Sequence, residues 1–140
     1  PIASRPVKLG GKRLLDGGVS DPIPVKWMLS RGYEKNVVVL TRDVKYRKKA
    51  NPKMQLFLKA VLHKYPAFLK DLEERHIHYN ETLEELSALE KEGRIHIIRP
   101  SSPIQAAMIE RDESNLERIY QTGRADMKKD LEKLKAYLDS

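Results

Sequence analysis

Two short apolar runs constrain this chain most. Asn36-Val37-Val38-Val39-Leu40 and Ile95-His96-Ile97-Ile98 are brief and rich in β-branched residues, and the second is closed by Pro100. The first has the pattern of a strand buried on both faces, as in a parallel sheet. Parallel neighbours need a long connection, and the intervening residues supply one with helical periodicity. Asn51-Pro52 reads as an N-cap followed by a first-turn proline. Met54, Phe57, Leu58, Val61 and Leu62 follow at helical spacing and are expected to be buried. Pro66 breaks or restarts that helix. A longer amphipathic helix then runs through Phe68, Leu69, Leu72, Tyr79, Leu83, Leu86 and Leu89 to a stop at Gly93.

Shorter signals flank this core. Val7-Lys8-Leu9 and Lys12-Arg13-Leu14-Leu15 surround Gly10-Gly11, a pair suited to a two-residue hairpin turn. Pro22 and Pro24 stand where a helix can begin, and Val25 to Arg31 continues it until Gly32. Near the end, Ser114-Asn115-Leu116-Glu117 has capping-box form. Leu116, Ile119, Tyr120, Met127, Leu131, Leu134 and Leu138 make a stripe interrupted by Gly123, so residues 113–138 read as two helices or one bent helix. The order is α/β. A hairpin and two further strands nevertheless form a thin sheet for so many helices, and apolar sheet faces are expected to lie uncovered. The six residues Pro1 to Pro6 read as if cut from something longer.

Charge and composition narrow the function classes. The chain has 40% hydrophobic and 34% charged residues, a globular composition, and no cysteine, which removes disulfides and thiolate metal sites. That fits a reducing compartment, and a cytoplasmic protein is expected. No apolar run approaches the roughly 18 residues of a membrane span. The net charge of +7 is uneven: residues 1–64 carry +11 and residues 65–140 carry −4. A basic half of this kind faces an anionic partner or lacks an acidic neighbour.

The stretch with chemical content is Leu14-Leu15-Asp16-Gly17-Gly18-Val19-Ser20-Asp21-Pro22-Ile23-Pro24. It puts one carboxylate at a strand end, next to two residues that let backbone or substrate approach closely. Strand ends beside crossovers are where α/β folds build sites. By itself Asp-Gly-Gly commonly closes a turn. Together with the Gly-Lys-Arg hairpin before it and Asp21-Pro22-Ile23-Pro24 after it, however, the block resembles the Asp-Gly-Gly/Ala block of bacterial patatin-like phospholipases. Val37-Val38-Val39-Leu40-Thr41-Arg42, Arg99-Pro100 and Glu117-Arg118-Ile119-Tyr120-Gln121-Thr122-Gly123-Arg124 resemble that group as well.

The resemblance implies the C-terminal part of a three-layer α/β/α fold over residues 1–104 and a helical C-terminal extension over 105–140. It implies a lipid acyl hydrolase or carboxylic ester hydrolase with a Ser–Asp dyad and no cofactor. Asp16 stands at the position of the dyad aspartate, with Gly17 and Gly18 as supporting motif residues. A hydroxyl nucleophile needs a base and oriented oxyanion donors. Ser4, Ser20, Ser30, Ser87, Ser101, Ser102, Ser114 and Ser140 all lack the glycines of a Gly-x-Ser-x-Gly elbow. The nucleophile is therefore expected outside this chain, which alone should be inert and should self-associate.

Other candidates read more plainly. His76 and His78 are two apart on a helix and point away from each other, and His63 and His96 add no third ligand, so surface histidines are expected and no metal site. The basic loop with Arg42, Lys45, Arg47, Lys48 and Lys49 reads as solvated, with a membrane surface as its alternative partner. No nucleic-acid motif accompanies it. Asp126 and Asp130, one turn apart among Lys128, Lys129 and Lys133, read as helix-surface ion pairs. The competing function is a stand-alone interaction module whose basic half binds an anionic partner.

Overall fold

In the computed structural model, residues 7–106 and 110–140 are described; the Pro1 to Pro6 segment and part of the expected 105–140 extension lie outside these. The first elements are β1 (Val7–Leu9) and β2 (Lys12–Leu14), an antiparallel pair in which Leu9 faces Lys12. Gly10 and Gly11 have φ of 55° and 75°. Both values lie in the left-handed region that a tight hairpin turn requires, so this is the expected turn. A single 3₁₀ turn, Gly17–Val19, follows.

Helix α1 (Val25–Ser30) ends as the sequence predicts. Gly32, at φ 82°, donates to Leu29 O, and Tyr33 N–H reaches Met28 O. Those two bonds satisfy carbonyls that the helix end would otherwise leave unpaired. Strand β3 (Asn36–Val39) comes next, then the irregular segment through Ala50. Asn51 caps α2 (Pro52–Leu62) by accepting from Met54 N–H at 3.0 Å. Helix α3 (Pro66–Lys91) is continuous for 26 residues. It stops at Gly93, φ 70°, through bonds from Gly93 to Glu90 O and from Arg94 to Leu89 O. Strand β4 (Ile95–Ile98) and the 27-residue helix α4 (Glu113–Asp139) complete the chain.

The chain is mixed α/β, with two separate two-stranded sheets. The hairpin does not join the second pair. That pair, β3 with β4, is parallel, and Asn36 is in register with Ile95. The long helical connection between them is the one that parallel pairing demands.

The chain forms two compact units. The first comprises Pro1–Pro24 and Lys48–Leu83, with the hairpin, α2 and most of α3. Its buried apolar residues are Val19 and Leu58. The second comprises Val25–Arg47 and Glu84–Ser140, with the parallel pair, α1 packed on β3 and α4 packed on β4. Val25, Leu86, Ile95 and Ile97 form its core, with Ile95 only 2% exposed.

Several expectations fail on burial. In β3, Val37 and Val39 are exposed, Val39 to 69%, so the strand is not buried on both faces. That side agrees with the expectation of an uncovered sheet face, whereas Ile95 and Ile97 of β4 are buried and depart from it. In α2, Leu58 is buried, but Met54, Phe57 and Val61 are not. The cap of α4 is Asp112, not Ser114: Asp112 Oδ1 accepts from Ser114 N–H at 3.0 Å and from its hydroxyl at 2.7 Å. Starting the helix earlier lets a carboxylate, the better partner for a positive helix end, serve as cap. Gly123 sits inside α4 without interrupting it.

Candidate functional site

Asp16 is exposed at the end of β2, where the hairpin passes into the 3₁₀ turn. Its Oδ1 accepts from Gly18 N–H at 2.9 Å and its carbonyl accepts from Val19 N–H at 3.2 Å. One oxygen therefore holds the turn, and the other makes no hydrogen bond among the described residues. Gly18 packs against the carboxylate: a Cβ there would stand 3.2 Å from Asp16 Oδ1. A Cβ on Gly17 would meet nothing within 4 Å. The block is tied to α3 by Arg75, whose Nε donates to Gly18 O at 3.0 Å. Arg13 on β2 donates to Tyr65 Oη at 2.9 Å, just before α3 begins. Sequence reasoning did not find Arg75; its only signal was a cation on the half-buried side of a long helix.

The histidines divide. His63 and His76 bond to carbonyls of their own helices, those of Ala60 and Glu73. His78 lies between Glu74 and Glu81, at 3.5 and 3.2 Å. The hydrogen bond to Glu81, and then the one to Glu74, raises its pKa above the usual imidazole range. His63 and His78 are exposed and agree with the surface reading, while His76 is half-buried. His96 departs from that reading. It is half-buried on β4, with Nε2 2.5 Å from Asp130 Oδ2 and its ring stacked on Tyr137 at 5.6 Å. Asp130 thus pairs with a strand histidine rather than with the lysines of its own helix. Asp126 accepts from Ser101 N–H at 2.9 Å. That bond, then the Ser101 side chain and the nearby Lys129, holds its carboxyl below the ordinary range. Three-dimensional neighbours from β4 and the following turn displace the sequence-local partners.

The second unit carries a groove at the C-terminal ends of the parallel strands. It has a volume of about 410 Å³ and is lined by Asp43, Val44, Lys45, Tyr46, Ser101, Ser102 and Pro103. Arg42 stacks over Tyr46 at 5.0 Å and reaches Ile104 O at 3.4 Å. Arg47 Nη1 donates to the carbonyls of Val44 and Tyr46. Two of the loop's cations are therefore occupied by its own backbone and aromatic ring. In the first unit, Lys48 lies over Tyr79 at 5.2 Å, and its backbone exchanges hydrogen bonds with Asn80. Lys49 is exposed.

Among the described residues no three His, Asp or Glu side chains gather as metal ligands, and no helix is long and apolar enough to cross a membrane. Asp16 has no serine or histidine as a hydrogen-bond partner among the described residues. What the turn offers chemically is one oriented, open carboxylate on a backbone pinned from both sides. Searches against curated proteins and against solved structures find no match to the chain. Residues 65–139, from the entry to α3 through β4 to the end of α4, match the model of the family described as Domain of unknown function (DUF6363), and the chain belongs to that family.

Proposed function

We propose that this chain is the C-terminal part of a patatin-like serine hydrolase acting on lipid or other carboxylic esters, with Asp16 as the aspartate of its Ser–Asp dyad. The serine lies outside the chain. The observation that carries the reading is the state of the Asp-Gly-Gly turn. Asp16 is exposed at a strand end, with Oδ1 held by Gly18 N–H, and the Gly18 carbonyl in turn accepts from Arg75. A carboxylate fixed through one oxygen can accept the proton of an attacking hydroxyl on the other without spending freedom to do so. The resemblance of residues 14–24 to the patatin block adds the chemical class.

In the full-length enzyme, Asp16→Asn is expected to lower kcat on a short-chain p-nitrophenyl ester by about 10²-fold or more, as loss of a general base does. Circular dichroism and the melting temperature should not change, because the amide oxygen still caps the turn. A near-normal kcat in a folded Asp16→Asn enzyme would reduce Asp16 to a turn residue. The 140-residue chain alone should show no turnover above buffer.

A further inference from the structure

The basic character of the chain is concentrated around α2. Between Val44 and Lys70 there are eight Lys or Arg residues and no Asp or Glu. Some of these cations are engaged: Lys59 pairs with Glu73 at 2.9 Å, and Lys48 covers Tyr79. Lys49, Lys53 and Lys64 are exposed and make no ion pair among the described residues.

The same helix turns apolar side chains outward. Met54, Phe57 and Val61, at i, i+3 and i+7, share one face and are 44%, 52% and 55% exposed. Leu58, on another side, supplies the burial that anchors α2. Lys53, four residues before Phe57, borders that stripe on the helix itself, and Lys64 follows in the turn just past the helix end. Contiguous apolar side chains bordered by unpaired lysines make up a helix that lies in a lipid interface. The rings and aliphatic groups enter the acyl boundary while the ammonium groups meet anionic headgroups. Lysine stems are long enough to serve both levels.

We propose that the exposed face of α2, formed by Met54, Phe57 and Val61 and flanked by Lys53 and Lys64, docks the protein on an anionic lipid surface. Charge selects this partner, since the stripe sits in a segment with no carboxylate to repel phosphates. Docking requires no catalysis and no contribution from Asp16, so it stands or falls separately from the dyad.

The test is sedimentation of the full chain with sucrose-loaded vesicles of phosphatidylcholine containing phosphatidylserine, beside vesicles of phosphatidylcholine alone. Binding is expected on the mixed vesicles, weakening as salt is raised. Each lysine near the surface is worth roughly five-fold in affinity at low salt, so the pair Lys53→Gln with Lys64→Gln should cost on the order of twenty-five-fold. The triple variant Met54→Ser, Phe57→Ser, Val61→Ser alters only exposed positions and should keep the wild-type circular dichroism while losing about ten-fold or more. Three results would each overturn the proposal. One is wild-type protein that ignores phosphatidylserine. Another is a triple variant that binds as well as wild type, which leaves a basic contact without insertion. The third is a triple variant that converts a dimer to a monomer, which makes the face a contact between copies.

Discussion

At residue scale, Gly17 and Gly18 look interchangeable in sequence yet differ in surroundings. Alanine at Gly17 meets open space, whereas at Gly18 its Cβ would press on Asp16 Oδ1 at 3.2 Å. The carboxylate would have to shift by a few tenths of an ångström. In the full-length hydrolase proposed above, Gly18→Ala is therefore expected to lower kcat with little loss of stability, and Gly17→Ala to change neither. Parallel esterase assays and melts on the two variants check this. Equal effects would separate the turn's geometry from catalysis. The position of Asp16 was legible because hairpin, turn and proline signals are local. Arg75 was not, since its contact with Gly18 O spans 57 residues and nothing in a helical run marks which cation turns inward.

At the scale of elements, α4 is the instructive case. It has no fully buried residue, and Leu116, Tyr120, Leu131 and Leu138 of its stripe are exposed. Polar clasps to the parallel pair and its flanks hold it instead. Asp130 pairs with His96, Asp126 receives Ser101 N–H, and Tyr137 Oη accepts from Asn36 N–H at 2.9 Å while donating to Arg94 O at 3.0 Å. Lys35 Nζ bonds the Tyr137 and Ser140 carbonyls at 2.8 Å, a cation placed at the negative end of the helix. Removing one partner of a half-buried hydrogen-bonded pair strands the other. His96→Ala and Asp130→Ala should each therefore destabilise the chain by about 1–3 kcal/mol. A double-mutant cycle in urea should return a clear coupling energy.

Asp126 adds a pH term. Its carboxyl is held below the ordinary range when folded, so its contribution is present above the unfolded carboxyl pKa and is lost as pH falls through the depressed folded value. Asp126→Asn should flatten the acid limb of a stability profile below about pH 4. An unchanged limb would show that the Ser101 contact adds no stability. Helix and strand periodicity made α3, α4, β3 and β4 legible. Their partners were not, because periodicity finds the apolar stripe of a helix and says nothing about clasps made from charged residues on its other side. The cap of α4 shows the same limit: Ser114 fits the pattern, but Asp112 offers the stronger acceptor.

For the molecule as a whole, the open features are sheet edges and faces. The parallel pair has two strands, Val39 is 69% exposed, and Val7 and Leu9 of the hairpin are exposed as well. Unpaired edges and apolar faces recruit their like. The isolated chain is therefore expected to associate with itself at micromolar concentration, with light scattering giving a mass above that of the 16.2 kDa chain. A clean monomer with a cooperative melt would show that two strands suffice for this fold. The α/β class could be read from the order of runs. The separation into two sheets could not, since sequence marks strands and not which of them share an edge.

Tyr137 has a consequence in the order of events during synthesis. Its hydroxyl joins Asn36, the first residue of β3, to Arg94, the residue just before β4, and it emerges about a hundred residues after Asn36. At ribosomal rates of roughly 5–20 residues per second, β3 waits about 5–20 s for the group that secures its leading N–H. Until β4 emerges, the strand is a nascent segment open to chaperones and to wrong partners. The clasp on the parallel pair is thus a late event, added by a residue near position 140 after β4 has emerged, and non-local closures of this kind slow folding most.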